Sequence, residues 1–210
     1  MWPLNDSLRV RVRDHLAGFE IQHHDGEADL KHAAVAVCLA HGGPEHPDRA
    51  ALLLTRRSSR LSAHPGQWAF PGGRLDPGET PLMAARRELF EELALDLPEA
   101  SLLGRLDDYE TRSGYVISPF VFWAPDSDAI VANPDEVAEI HRIALTAFDR
   151  PDLADPIPGI DPDRPIFRIN LLTYQINAPT AAILYQFWEV GVHGRHTRVA
   201  HYDQPEWAWR

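Results

Sequence analysis

The sequence predicts an α/β fold in which helices cover the faces of a mixed β-sheet. Two short apolar runs typical of buried strands come early in the chain, at 33–40 and 50–55. A helix is predicted in the middle of the chain, at 79–93, and an apolar helix near the end, at 179–190. Strands and helices in this order favour a sheet with helices packed on its faces.

The N-terminal elements are predicted to be a helix, a loop and a β-hairpin. An amphipathic helix is expected over 6–19, where apolar residues recur at helical spacing and Asp6 or Ser7 is a suitable N-cap. A polar loop follows over 20–31. Turn-forming residues separate the two early strands, which predicts that these strands form a hairpin.

The central helix is preceded by a segment rich in glycine and proline. So many breakers over 61–78 predict a loop, and the aromatic residues within it indicate a loop of ordered shape. Thr80 is a good N-cap for the helix at 79–93, and Pro81 suits the first helical position. The apolar positions that face the core are Leu82, Ala85, Leu89 and Leu93.

The second half of the chain predicts further strands before the last helix. The predicted strands lie at 101–110, 115–123, 166–169 and 172–176. The segment 134–148 is mixed, with a strand end and a short helix, and the segment 149–165 is a loop rich in proline and aspartate.

Composition narrows the classes of partner. The chain has 210 residues and a net charge of −11, which argues against a protein that grips long nucleic acid. No apolar run approaches the roughly 20 residues of a membrane span, and the charged N-terminus lacks a signal peptide, so a cytoplasmic protein is expected. The single cysteine, Cys38, excludes an internal disulfide and is expected to be a buried apolar residue.

Carboxylates crowd one side of the central helix. Glu88, Glu91 and Glu92 stand at positions i, i+3 and i+4, which are neighbours on a helix surface. A solvated acidic face is the alternative, but the cluster follows directly on a shaped loop, and a hard cation such as Mg²⁺ would relieve the repulsion. Arg87 would bind a carboxylate, with Glu79 as the expected partner.

The segment 73–95 resembles the signature of the Nudix family. That signature is Gly, five residues, Glu, seven residues, Arg-Glu, an aliphatic residue, any residue, Glu-Glu, any residue, Gly and an aliphatic residue. Every charged position matches, and the one departure is Ala94 in place of the second glycine. Glycine there suits a left-handed helix end, so alanine is expected to cost about 1 kcal/mol without changing the chemistry.

The resemblance implies a Nudix α/β/α sandwich and hydrolysis of a pyrophosphate bond in a nucleotide with Mg²⁺ or Mn²⁺. It implies that Glu88 and Glu92 are the main metal ligands, that Glu91 assists as ligand or base, and that the carbonyl of Gly73 joins them. Arg87, paired with Glu79, completes the expected catalytic set. The hydrolase domain would span 32–200, between an N-terminal helix and loop extension at 1–31 and a C-terminal tail at 201–210.

Family members differ in their general base, and some take a further carboxylate from outside the signature. Glu136 and Glu139 are the candidates for that carboxylate here. An ordinary place on the surface is an equally weighted alternative for each of them.

The segment 53–73 is similar to the motif of the coenzyme A pyrophosphatase branch of the family. That motif reads Leu-Leu-Thr-x-Arg-Ser, three residues, Arg, three residues, Gly, three residues and Phe-Pro-Gly-Gly. Its second arginine is replaced by Ser62, with Arg60 two positions earlier. Because coenzyme A carries a 3′-phosphate, Arg57 and Arg60 are expected to bind substrate, although Arg60 is equally well explained as an exposed charge. Phe70 and Gly72 are assigned to the same substrate site.

The leading hypothesis is hydrolysis of coenzyme A or acyl-coenzyme A to a phosphopantetheine and adenosine 3′,5′-bisphosphate. The alternatives are another nucleoside diphosphate derivative, such as ADP-ribose, a dinucleotide or a nucleoside triphosphate, and a silent nucleotide-binding regulator. The last is disfavoured because the signature carboxylates are kept. The partner expected is thus a small nucleotide, with no nucleic acid and no membrane; family members often form homodimers, and the sequence leaves that question open.

Overall fold

A mixed β-sheet with helices on both faces forms the framework, as predicted. The structure, a computed structural model, describes residues 1–24, 30–61, 64–171 and 174–208. The helices are α1 (Asp6–Ala17), α2 (Pro81–Leu93) and α3 (Thr180–Gln186). The strands are β1 (Lys31–His41), β2 (Ala50–Arg57), β3 (Trp68–Ala69), β4 (Gly72–Arg74), β5 (Leu102–Arg105), β6 (Tyr109–Glu110), β7 (Tyr115–Ala124), β8 (Val137–Ala144), β9 (Arg168–Leu171) and β10 (Tyr174–Asn177).

The sheet is organised around its two long strands. β1 and β7 pair in parallel along almost their whole length, while the other strand pairs are antiparallel. β2 and β4 share the other edge of β1, and β8 pairs with β2. The hairpin predicted from the two early apolar runs is confirmed, because Leu39 pairs with Leu52 and His41 with Ala50.

Alternation along β1 divides the core between the two faces of the sheet. Its small residues point towards α2 and belong to the core on that side: Ala34, Ala36, Cys38 and Ala40. Val37 and Leu39 point the other way, into the core that contains the buried residues of α1 and α3. Small side chains on one face let α2 pack close to the sheet. The α/β/α sandwich is therefore confirmed.

The N-terminal helix differs from its prediction at both ends. The N-cap is Asn5, whose side chain accepts a hydrogen bond of 3.0 Å from the backbone N–H of Leu8, so the assignment of Asp6 or Ser7 was wrong. The helix ends at Ala17 and not at residue 19. Its apolar stripe packs in the same core as α3, while the proposed division of the chain at 31 stays a prediction.

The loop predicted over 61–78 contains two short strands that the abundance of glycine and proline concealed. β3 pairs with β2, and β4 pairs with β1. Pairing of β4 requires glycine at Gly72, because a Cβ there would lie 2.3 Å from the carbonyl oxygen of Ala34. Parts of this segment, of the loop at 20–31, of the strand at 172–176 and of the tail at 201–210 lie outside the described residues.

The strand predicted over 101–110 is interrupted. It divides into β5 and β6, and between them the side chain of the buried Asp107 accepts hydrogen bonds from Gln186 and Arg198, at 2.6 Å each, and from the backbone of Gln22. The mixed segment 134–148 is mostly strand β8, with one 3₁₀ turn at Leu145–Phe148.

The last helix changes its winding part of the way along. α3 continues directly into a π-helical turn at Phe187–Val192, so the predicted helix over 179–190 is present but not α-helical throughout. β9 and β10 precede it as a separate antiparallel pair. Among the described residues, no helix is both long and apolar enough to cross a membrane.

Candidate active site

The helix α2 and the strand β4 position the signature residues. Thr80 caps α2, with its side chain accepting the backbone N–H of Met83, and Pro81 opens the helix as predicted. Ala94 ends it with φ of 54° and ψ of 27°, the left-handed conformation expected of the glycine that it replaces.

The guanidinium of Arg87 joins the loop, the strand and the helix. It donates two hydrogen bonds to Glu79, of 3.0 and 3.1 Å, in the forked geometry expected for an Arg–Glu pair. The same group donates to Glu88 at 2.9 Å, to Glu91 at 2.8 Å and to the carbonyl of Arg74 at 3.0 Å. Arg87 thereby fixes the start of the signature against the helix that carries its carboxylates.

Three carboxylates lie close together beside Arg87. Glu88, Glu92 and Glu136 each offer an oxygen within 4.8 Å of the others. Glu92 is buried, with 2% of its surface exposed. Two of the three were expected as metal ligands, and the third was one of two candidates for a carboxylate from outside the signature.

Backbone hydrogen bonds explain how Glu136 reaches the helix. The segment before β8 follows the C-terminal end of α2, since Val131 donates to the carbonyl of Leu93 and Asn133 to that of Glu92, both at 2.9 Å. The carbonyl of Glu136 then accepts from the backbone N–H of Ser58 at 2.8 Å. Glu136 is therefore held between the end of α2 and the end of β2.

The electrostatics of this cluster suit a cation. Burial first, then the charge of Glu88, raises the pKa of Glu92 to about 8. Burial also raises the pKa of Glu88, against the effect of its bond to Arg87. Carboxylate oxygens are the ligands that Mg²⁺ and Mn²⁺ prefer, so the residues present fit the divalent cation that the family resemblance implies.

Gly73 touches the cluster through its backbone. A Cβ at this position would lie 2.2 Å from Oε1 of Glu88, so no side chain fits between β4 and that carboxylate. The glycine at the head of the signature is thus needed for the close approach of the strand to the carboxylates.

Three other predicted residues are not members of this cluster of carboxylates. Glu91 is not part of the cluster, and its side chain is 48% exposed and bound to Arg87. Glu139 contacts His141 at 2.9 Å and Arg56 at 3.8 Å instead. Arg60 is 78% exposed, and its nearest carboxylate is that of Asp135 at 4.0 Å.

A cleft of about 390 Å³ lies against the signature loop, a volume typical of small-molecule sites. Arg57, Phe70, Gly72 and Gly73 line it, whereas Arg60 does not. The Nε of Arg57 is buried without a hydrogen-bond partner, and its charge lowers the pKa of Glu92. Arg57 therefore lines the cleft and also acts electrostatically on a carboxylate of the cluster; Ser62 is outside the described residues.

Several cleft residues were not identified from the sequence. Trp68 lies in the segment predicted to be an ordered loop, and its aromatic character was the one feature of the sequence that could have indicated a place in the cleft. Others lie outside the segments that the sequence assigned to the substrate site: Tyr115, Pro179, Thr180, Ile183, Gln204 and Ala208.

Comparison with known proteins identifies a family domain within the chain. The profile of the NUDIX domain family matches residues 30–164. A protein named uncharacterized Nudix hydrolase NudL from Yersinia enterocolitica is 42% identical over 95 residues, which cover 45% of this chain and 49% of that protein. A protein of the same name from Photorhabdus laumondii is 41% identical over 96 residues, covering 45% and 51%. The chain thus spans about half the length of the curated relatives it matches.

Solved structures share the fold. The crystal structure of a MutT/nudix family protein from Enterococcus faecalis superposes with a TM-score of 0.50 at 16% sequence identity. The superposition covers 74% of this chain and 54% of that one. At this identity the likeness concerns the fold alone.

Proposed function

The chain belongs to the Nudix family, whose profile matches more than half of it, and from that premise we propose that it is a metal-dependent hydrolase of the pyrophosphate bond of coenzyme A or an acyl-coenzyme A. The observation that supports this most is a convergence within one cleft. Residues of the segment similar to the coenzyme A motif (Arg57, Phe70 and Gly72) line the same cleft as Gly73, the first residue of the signature.

The carboxylate cluster is the proposed metal centre. Glu88, Glu92 and Glu136 would hold Mg²⁺ or Mn²⁺, and the carbonyl of Gly73 is the proposed fourth protein ligand. When bound, the cation would neutralise charge on the phosphoryl oxygens and activate the attacking water. Glu91, which is exposed and lies one residue from Glu92, is the proposed base or assisting ligand.

The protein side chains would orient the substrate. Arg57 lines the cleft and carries a fixed positive charge, so its guanidinium would donate to a phosphate oxygen in the geometry that such groups favour. Arg87 is engaged by Glu79, Glu88 and Glu91 and is proposed to position the carboxylates without touching substrate. Arg60, which is exposed and outside the cleft lining, is not part of this arrangement.

A comparison of substrates tests the proposal. Coenzyme A, dephospho-coenzyme A and ADP-ribose are each incubated with the protein and Mg²⁺ or Mn²⁺, and kcat/KM is measured by chromatography of the products. We expect coenzyme A to be preferred, with release of adenosine 3′,5′-bisphosphate. Equal rates with dephospho-coenzyme A would contradict recognition of the 3′-phosphate, and a preference for ADP-ribose would assign the cleft to another nucleoside diphosphate derivative.

Substitution of Arg57 tests the site. Arg57→Gln is expected to lower kcat/KM for coenzyme A by about 10- to 100-fold, the effect of losing a hydrogen bond to a charged group. Arg13→Gln is the control, since Arg13 lies on the exposed surface of α1 and pairs with Asp14. Arg60→Gln is expected to behave like this control. If Arg60→Gln lowers kcat/KM as much as Arg57→Gln does, Arg60 also contributes to substrate binding.

A further inference from the structure

The wall of the cleft is built partly by residues outside the family match. The matched region ends at residue 164. Five lining residues come from beyond it: Pro179, Thr180, Ile183, Gln204 and Ala208. The catalytic signature lies wholly inside the match, so these later residues add to the cleft without belonging to the proposed catalytic set.

The segment 203–208 is fastened at its beginning by an arginine from the turn between β6 and β7. Arg112 donates from Nε to both carboxylate oxygens of Asp203, at 3.0 Å each, and from Nη2 to Oδ2 at 2.6 Å. The backbone N–H of Arg112 also donates to Oε1 of Gln204 at 2.9 Å. Asp203 and Gln204 are buried, at 6% and 5% exposed, while the side chain of Arg112 is 40% exposed.

Backbone contacts with other parts of the chain also hold the segment 203–208 in place. Asp203 donates to the carbonyl of Pro165 at 2.8 Å, and its own carbonyl accepts from Phe167 at 3.0 Å. At the far end, the backbone of Ala208 interacts with the side chain of His64, which also lines the cleft. The segment therefore spans from the turn at Arg112 to the loop at His64.

We propose that the segment 203–208 is a specificity wall of the substrate cleft and that Arg112 is the positioning residue that holds it. This inference rests on the proposed function. The two side chains that the wall presents, the amide of Gln204 and the methyl of Ala208, are uncharged. These uncharged side chains would contact uncharged parts of a nucleotide substrate outside its diphosphate, and Arg57 would bind a phosphate group.

Kinetic analysis of Arg112 variants separates this role from a purely structural one. Arg112→Gln is expected to raise KM for coenzyme A by about tenfold or more while kcat stays within about twofold, because binding is lost and the metal centre is untouched. Arg112→Lys keeps the charge and is expected to restore part of the loss. Arg150→Gln is the matched control, since Arg150 forms an exposed pair with Asp152 away from the cleft.

An unchanged KM in a folded Arg112→Gln variant, with only a lower melting temperature, would overturn the proposal. If that variant fails to fold, Ala208→Leu tests the wall without touching the anchor. Added bulk at Ala208 is expected to raise KM for coenzyme A at least several-fold, and an unchanged KM would again overturn the proposal.

A binding measurement distinguishes failure of the wall from failure of the proposed function. If the unaltered protein hydrolyses none of the substrates, the proposed function fails. Coenzyme A and ADP-ribose are then titrated by calorimetry into protein stripped of divalent cations. The proposal is supported if Arg112→Gln binds either nucleotide with a Kd about tenfold higher than Arg150→Gln does. Equal Kd values for the two variants, or no binding at all, would overturn it.

Discussion

Ala94 departs from the family signature while keeping the backbone conformation expected of the glycine that it replaces. Its left-handed backbone, with φ of 54°, is strained for any residue with a Cβ. Ala94→Gly is therefore expected to raise the free energy of unfolding by about 0.5 to 1 kcal/mol, as measured by urea denaturation. Ala17→Gly, at an exposed position of α1 with ordinary helical geometry, is the control and should lower stability. A loss of stability in Ala94→Gly would contradict the account.

Glu92 is predicted to oppose folding when no cation is bound. Its pKa lies at about 8 in the folded protein, raised by burial and by Glu88 from an ordinary value of 4.5. Between pH 4.5 and about pH 8, the folded state therefore binds a proton at Glu92 that the unfolded state does not bind. The stability that this carboxyl group contributes is fully present below pH 4.5 and is lost as the pH rises through 8. In metal-free protein, Glu92→Gln should raise the melting temperature more at pH 8 than at pH 5. A difference independent of pH would contradict this.

Part of the site could be read directly from residue spacing. The signature identified Glu88 and Glu92, and the pairing of Arg87 with Glu79 followed from charge and distance along the chain. Spacing could not choose between Glu136 and Glu139, because their positions depend on how β8 pairs with β2. Nor could it show that Arg57 faces the cleft while Arg60 faces solvent.

At the scale of elements, the segment from α2 to β8 decides which carboxylate joins the centre. Glu136 lies just before β8, at the end of α2, whereas Glu139 lies within β8, where it pairs with Arg56. Glu136→Gln is expected to lower metal-dependent kcat by about 10- to 100-fold, as for other groups that tune a metal centre. Glu139→Gln is the matched control and should stay within about twofold. The opposite ranking would place the further ligand on β8.

Elements with a strong local pattern were predictable, and those set by distant contacts were not. The cap, proline and apolar stripe of α2 all favour a helix, and the helix is present. β3 and β4 exist because neighbouring strands pair with them, even though Gly72 and its neighbours favour loops. Asp107, in the break between β5 and β6, binds partners from the C-terminal region that no local pattern reveals.

Over the whole molecule, two regions far apart in sequence build one cleft. The family region supplies Arg57 and the loop ending at Gly73, which adjoins Glu88, and the C-terminal region supplies further lining residues. The sandwich follows from the order of strands and helices, and was predicted. The place of Gln204 and Ala208 in the cleft was not predicted, because it depends on how the chain returns to the sheet after α3.

A cation that binds only the folded state is predicted to stabilise the whole molecule. Mg²⁺ or Mn²⁺ at 100 times its Kd would add about 2.7 kcal/mol to the free energy of unfolding. We expect thermal unfolding to shift upward with either cation, and Glu92→Gln to lose that shift. Glu139→Gln should retain it. An equal shift in all three proteins would mean that the cations bind elsewhere.

Chromatography of the reaction products tests whether the carboxylate cluster supports metal-dependent hydrolysis of coenzyme A. The unaltered protein and Glu92→Gln are incubated with coenzyme A, with and without Mg²⁺ or Mn²⁺. We predict release of adenosine 3′,5′-bisphosphate and 4′-phosphopantetheine by the unaltered protein only when a cation is present, and at least about a 100-fold slower release by Glu92→Gln. Intact coenzyme A under every condition, or equal release by the two proteins, would contradict the account.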